Sequence, residues 1–448
     1  MTNKFTQRID VALVNPGRGA IYPPLNLGFI ASYLGKHGVS VAIIDEQVGQ
    51  NVKEELNRLN PRIVGITATT AVAPDAYRIA DYVKENSDAL TVMGGSHASA
   101  MSDEALQHVD VVIKGEGERA ILDIVKNGVK SRIISGPIIE NIDEVPMPAR
   151  HLMDMKFYLC QKEEISGKYV TGLGTLITSR GCPYRCIFCY NSWRDTPVRY
   201  NSAERVLEEL KHLVEVYDVK NFLFLDDCLT MNRKRLIAIC ELMIKNKLSE
   251  IPWRCSARVD SVDLEVLRIM KKAGCAKIQF GFESGSQKIL NVLNKKTTVE
   301  QNRNAIKLCK KTGIEASGTF MIGNPTETIQ DIEATERFIE ENDVDSAGIC
   351  ITTPFPGTKL WEWAHELGLM PEKIDYSKFT LDFGSLWVSD KIPSDVLNII
   401  YAKLKLKCAL KNYGKLGYLN RLIKHPSAIF KFKYIKPLMR WLYYRFLK

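Results

Sequence analysis

Gly181-Cys182-Pro183-Tyr184-Arg185-Cys186-Ile187-Phe188-Cys189 is the stretch on which the reading of this chain turns. Three cysteines at C-x3-C-x2-C follow directly on an apolar run, Thr175–Ser179. Three thiolates in one tight loop can hold three irons of a [4Fe-4S] cluster, where clusters bound wholly by protein take four. The fourth iron is then left for an external ligand. Zinc competes for such thiols, but a structural zinc site needs four ligands in paired knuckles, and no second pair lies nearby. Cysteines buried by chance are common, but they rarely cluster at this spacing.

Outward from the motif, apolar runs recur at Thr175–Ser179, Asn221–Leu225, Trp253–Ala257, Lys277–Phe282, Gly313–Ile322 and Ala347–Thr352, separated by helical segments such as Ala203–Val216. Six strand–helix repeats predict a partial (β/α)6 barrel with its functional groups at the carboxyl ends of the strands. Upstream, Val11–Pro16, Val39–Asp45, Arg62–Ala68, Leu90–Gly95 and Asp110–Gly115 alternate with helical stretches Leu25–Lys36, Val52–Leu59, Asp75–Glu85 and Glu118–Lys126. Val- and Ile-rich runs bounded by Gly, Pro and Asn and alternating with helices predict βαβ units. Five of them resemble a flavodoxin-like doubly wound domain. Gly136–Tyr158, with three prolines and no period, reads as a linker. The expected organisation is an α/β chain: residues 1–135 doubly wound, 136–170 linker, 171–360 barrel, 361–448 mostly helical.

A chain of 448 residues with 45% hydrophobic and 25% charged residues has the balance of a folded protein. Met1–Asp10 has no secretory apolar run, and no stretch of about 20 apolar residues suggests a spanning helix. Eleven cysteines then point to thiols in a reducing cytoplasm. The net charge of +9 is uneven. Lys403–Lys448 holds 13 Lys and Arg and no acid, while the other 402 residues carry 48 basic and 52 acidic side chains.

The cysteine spacing, with aromatic Phe188 before the third cysteine, resembles the radical SAM superfamily from about Thr175 to Thr358. That resemblance implies that Cys182, Cys186 and Cys189 ligate the cluster. The open iron chelates S-adenosylmethionine (SAM), which is cleaved on reduction to a 5′-deoxyadenosyl radical; an external donor such as flavodoxin or ferredoxin supplies the electron. It further implies a SAM pocket. Asp226 and Asp227 close the second strand, near the amino end of SAM, and Arg258 after the third faces its carboxylate. Glu283 and Ser284 after the fourth strand lie near the ribose. Gly323 and Glu327 form a degenerate glycine-rich fifth-strand motif.

The first domain together with the barrel resembles the cobalamin-dependent branch of that superfamily. Pro23–Gly28, Ile66–Thr70, Gly94–Ala98 and Gly115–Glu118 all follow strand ends and converge on one rim. The resemblance assigns Pro24, Thr67, Thr69, Gly94, Gly95, His97, Gly115, Glu116 and Gly117 to cobalamin contact; glycines there permit close backbone approach. Carriers that ligate cobalt have an Asp-x-His-x-x-Gly loop after the first strand. Asn15–Pro24 contains no histidine, so cobalt is expected without a protein imidazole. His37 reads as a helix C-cap, and for His97 a solvent-exposed or backbone-bonded role outweighs cobalt ligation.

These features together predict a methyltransferase acting on an unactivated carbon of a small-molecule or lipid-like substrate. Cyclisation, oxidation or rearrangement within the same branch, and a non-catalytic cobalamin or nucleic-acid binder, are the alternatives. Methylthiotransfer needs a second cluster on three N-terminal cysteines, and the first cysteine here is Cys160. In the tail, Lys403, Lys407, Lys411 and Lys415 recur at i+4, and Ser427–Lys448 mixes seven aromatics with six cations. Three readings stand: a helical cap on the barrel core, a helix lying on an anionic inner membrane face, and, less favoured, a phosphate-backbone contact.

Overall fold

Short Val- and Ile-rich runs, each ended by Gly, Asn, Thr or Asp, become the strands of two parallel sheets in the computed structural model of the chain. It describes residues 8–17, 22–161, 163–165, 168–193, 195–382, 385–386 and 388–424, with the backbone alone for 163–165, 168–169 and 413–424. The first sheet contains β1 (Val11–Asn15), β2 (Val41–Asp45), β3 (Ile63–Thr67), β4 (Leu90–Gly94), β5 (Val111–Gly115) and β6 (Ile133–Gly136). Their order, 2-1-3-4-5-6, is the flavodoxin-like order with one strand added at the edge. The sixth strand crosses the expected boundary at residue 135. It is short and only half-buried, so its residues lack the apolar run that marks the other five.

The second sheet contains β7 (Leu173–Leu176), β8 (Asn221–Phe224), β9 (Trp253–Ala257), β10 (Cys275–Glu283), β11 (Glu315–Ile322) and β12 (Ser346–Ile351) in sequential parallel order. This is the expected six-stranded open barrel. Phe222, Phe224, Trp253, Phe280, Phe282 and Phe320 are all essentially inaccessible, and they pack the sheet against its outer helices.

An open barrel leaves two edge strands, and β12 is one of them. The helix Ser394–Lys424 covers it. Leu397, Tyr401, Leu404 and Cys408 join the barrel core, and Asn412 exchanges both amide hydrogen bonds with the backbone of Ala347. Covering an edge in this way blocks strand addition by another chain. The cationic stripe of the tail is also used internally. Lys403 and Lys407 pair with Glu336, Lys407 also with Glu340, and Lys411 donates to the carbonyls of Ile339 and Asn342. This part of the tail is a cap on the barrel. The side chain of Lys415 and all of Ser427–Lys448 lie outside the described residues. Among those described, no helix is long and apolar enough to cross a membrane.

The linker is anchored rather than loose. Arg150, inaccessible to solvent, donates to the carbonyl of Thr175 at 2.7 Å and to Glu209 at 2.6 Å. The Tyr158 hydroxyl donates to Asp45 at 2.6 Å, tying the linker to β2.

Candidate functional site: a cavity between two strand rims

The carboxyl ends of the two sheets face each other across a cavity of about 410 Å³. Thr67, Gly94, Gly95, Gly115, Glu116 and Gly117 line it from the first domain. Ser179, Arg180, Tyr190, Trp193, Leu225 and Asp227 line it from the barrel. Beneath the first rim it deepens into an apolar slot between Leu13, Gly65, Val92, Ile113 and Ile121. Gly95 shows why glycine is required on this rim. It sits at φ +95°, and a Cβ there would lie 2.6 Å from the carbonyl oxygen of Ala68.

Pro24 and Thr69 flank this rim without lining it, the one starting the helix Leu25–Lys36 and the other preceding a 3-10 turn. His97 is corrected more sharply. Its ring is fully buried beside Tyr77, with Nε2 2.9 Å from the Tyr77 hydroxyl, and it packs edge-on against Tyr376 at 4.6 Å. Burial pushes its pKa down to about 4, so the imidazole is neutral and structural. His37 caps its helix as expected. No histidine is among the described residues that line the cavity.

Glu116 does line the cavity, but its carboxylate is engaged. It lies 2.6 Å from Arg199 and 3.3 Å from Arg180, and it accepts from the Ile139 backbone at 2.9 Å. Glu118 takes the other arm of Arg180. Four charges from two domains are thus locked together beside the cavity. Arg180 immediately precedes the cysteine motif; that adjacency was its only signal in the sequence, and Arg199 had none.

The cysteine loop is held on several sides. Ile187 enters an apolar cluster with Ile289, Leu293, Leu360, Ala364 and Val388, and Phe188 packs against it. The Ile187 backbone bonds to Leu293 and Leu360. Asn191 donates to the Cys182 carbonyl at 2.6 Å and Asn294 to that of Arg185 at 2.7 Å. The Arg258 guanidinium stacks 3.4 Å from the centroid of Tyr184 while forking onto Asp260. Arg258 therefore positions the loop, and its fork is already filled.

Cys186 is buried, Cys182 half-buried and Cys189 at the open end. Burial raises the thiols of Cys182 and Cys186. A metal that takes these thiols as ligands must displace their protons. Among the described residues no three acidic, histidine or cysteine side chains converge tightly enough to hold a single ion. A cubane takes one thiol per iron and does not require such convergence. The loop fits the cluster.

The remaining candidates divide. Glu283 ends β10 at φ +60°, a costly conformation for a residue with a side chain, and pairs with buried Lys295 at 2.6 Å beside Cys186. Gly281 makes that possible, since a Cβ there would meet the Glu283 carboxylate at 2.3 Å. Asp227 faces the cavity, and burial raises its carboxyl. Asp226 is corrected: its carboxylate accepts from the backbone and hydroxyl of Thr178 and from the Ser179 hydroxyl, joining β7 to β8. Ser284 bonds to Thr335 and the Ser286 backbone, so it packs the loop against a helix.

Glu327, fully buried, folds back onto its own loop, accepting from the backbone of Gly323 at 2.6 Å and of Asn324 at 3.0 Å. It braces this turn instead of reaching a ligand. Burial pushes its carboxyl up to about 7. The unfolded chain loses this proton near pH 4.5, well before the folded one does. Stability should therefore fall as pH rises from about 4.5 to 7, by on the order of 3 kcal/mol at most, and level off above. Urea unfolding of wild type and Glu327→Gln at pH 5 and pH 8 checks this; an equal pH dependence in both would refute it.

The family model of the Radical SAM superfamily matches residues 176–339, and that of the B12 binding domain matches residues 13–125. An uncharacterized methyltransferase of Pyrococcus horikoshii is 36% identical over 77% of this chain and 79% of its own. The chain belongs to the cobalamin-dependent radical SAM superfamily. An anaerobic magnesium-protoporphyrin IX monomethyl ester cyclase of Rubrivivax gelatinosus is 30% identical over 80% of this chain and 68% of its own. The cobalamin-dependent radical enzyme OxsB, solved with aqua-cobalamin and S-adenosylmethionine, shares the fold at a TM-score of 0.71 and 19% identity, over 90% of this chain and 67% of that one. As a radical SAM protein the chain is an enzyme, and its cofactors are a [4Fe-4S] cluster, S-adenosylmethionine and cobalamin.

Proposed function

We propose that this enzyme is a methyltransferase that places a methyl group on an unactivated carbon of a small-molecule substrate. One observation carries the reading. The glycine rim of the first domain and the residues flanking the cysteine loop, Tyr190 to Trp193, wall the same cavity. A carbon held there is within reach of both SAM and cobalamin. When bound, the three cofactors supply a 5′-deoxyadenosyl radical and a transferable methyl group.

In this reading Cys182, Cys186 and Cys189 hold the cluster irons, and Arg258 keeps their loop in place through Tyr184. The Glu283–Lys295 pair presents a carboxylate oxygen to the SAM ribose beside Cys186. Asp227, facing the cavity, is the acceptor for the SAM ammonium. Gly94, Gly95, Gly115 and Gly117 let the corrin approach the backbone, and the slot over Gly65 takes its flat nucleotide base. Trp193, Tyr190 and Leu225 exclude water, which would quench a radical. The domain limits 1–135, 171–360 and 361–448, with 136–170 as the linker, go with these assignments. An external one-electron donor, and contact of the Ser427–Lys448 segment with an anionic membrane face, belong to the same proposal.

Identity to the Rubrivivax cyclase favours cyclisation as the second reading. Anaerobic reconstitution with methyl-deuterated SAM and cell extracts separates the two. Methyl transfer should give S-adenosylhomocysteine and 5′-deoxyadenosine together, with label in the product. Deoxyadenosine alone, with no label transferred, would replace methylation by cyclisation or oxidation.

A further inference from the structure

The chain that follows β12 does not stay with the barrel. It crosses to the first domain, where Tyr376 and Phe379 are buried in the same apolar cluster as Val14, Ile66 and Met93, with Phe355 and Trp361 packed against it. This strap ends against the glycine rim. Tyr376 meets the His97 ring edge-on, centroids 4.6 Å apart, and its hydroxyl donates to Glu104 at 2.6 Å. The turn Tyr376–Lys378 also packs on the turn Thr70–Val72 after β3.

His97 belongs to the helix Ser96–Ala100, which follows directly on the cavity-lining Gly94 and Gly95. Five residues are too few to sustain a helix unaided, and this one has no side-chain cap. Its place is therefore set by its contacts. The His97 amide donates to the Ala68 carbonyl at 3.0 Å, and the Ala68 amide to that of Gly94 at 2.9 Å, so the loops after β3 and β4 are pinned together. Both nitrogens of the imidazole are engaged, Nε2 at 2.9 Å from the Tyr77 hydroxyl and Nδ1 at 3.4 Å from that of Thr70. At the other end of the helix, a Cβ on Gly357 would lie 3.0 Å from Ala100 and 2.9 Å from the ring of Tyr190 in the cavity wall. The strap thus bears on the rim helix at both ends. A buried polar network whose members are all paired fixes one geometry, which apolar packing alone does not.

We infer that Tyr376, acting through His97, is a positioning residue of the cobalamin site and sets the rim that carries Thr67, Gly94 and Gly95. The inference rests on reading that rim as the cobalamin cradle. Glycine backbone has no side chain that can adjust to a ligand, so affinity depends on where the two loops already stand.

The test uses the full chain with its cluster reconstituted, without SAM or reductant. Hydroxocobalamin affinity is measured by equilibrium dialysis well below the unfolding temperature. Tyr376→Phe, which keeps the ring and loses the bond to Glu104, should bind about fivefold more weakly. Tyr376→Ala should bind at least about tenfold more weakly. In a His97→Ala background the same change should add less than about twofold, because the route through the imidazole is already cut. Leu56→Ala empties a buried site of the same apolar cluster away from the rim; it should lower the urea midpoint and leave the affinity at the wild-type value. Wild-type affinity in Tyr376→Ala, or a loss in Leu56→Ala as large as in Tyr376→Ala, would overturn the inference, and full additivity with His97→Ala would overturn the route. If Tyr376→Ala does not fold, Tyr376→Phe still decides it. Gly95→Ala tests the reading beneath: unchanged affinity there refutes the rim as cradle, whereas its loss beside unchanged Tyr376 variants refutes the positioning role alone.

Discussion

Cys186→Ala protein will emerge from anaerobic reconstitution without thiolate-to-iron absorbance and will form no 5′-deoxyadenosine. Cys186 is the buried thiol of the three, and the charges of Lys295, Arg258 and Glu283 all act on it. Its loss removes one of three protein ligands from a cluster that already has an open iron. Neighbours cannot take its place, because the Ile187 backbone is bonded on both sides and fixes where the loop points. Exposed Cys160→Ser is the control and should keep both signals. Undiminished SAM cleavage by Cys186→Ala would remove the cluster from this loop.

Glu116→Gln should be the most damaging single change outside the cysteines. It leaves Arg199, only 5% exposed, facing an amide in place of a carboxylate. Removing one member of a buried ion pair costs about 3–5 kcal/mol, since the other charge stays desolvated and unpaired. The cost falls on the contact between the domains, because Arg180 and Arg199 belong to the barrel side and Glu116 to the first domain. Two results are expected together: a lower urea midpoint, and loss of cobalamin on gel filtration while the iron content is retained. Unchanged midpoint and cobalamin content would mean that the four-charge cluster is not what seats the first domain.

Much of the architecture was legible because both sheets are parallel and buried on two faces, so that strands stand out as apolar runs. Every one of the eleven expected strands begins or ends within two residues of an observed limit, and β6 escaped because Ile133–Gly136 is too short and too exposed to carry the pattern. Cysteine spacing is local and survives folding unaltered, so the loop could be read directly. Carboxylates are different. Asp226, Glu327 and Glu116 stand at strand ends, where ligands bind, yet each is spent on the protein's own backbone or arginines. A strand-end acid looks the same in sequence whether it faces a ligand or its own loop. Arg199 was invisible for the complementary reason: its partner Glu116 lies in the other domain.

The cover over Ile187 also bears on the order of events in the cell. Leu360, Ala364 and Val388 form one wall of the pocket into which the cysteine loop is pressed, and these residues leave the ribosome some two hundred positions after the cysteines. Until they arrive, the loop has no floor and its thiols no fixed directions. Stable iron–sulfur loading of this loop is therefore expected only once the chain has been made past Val388.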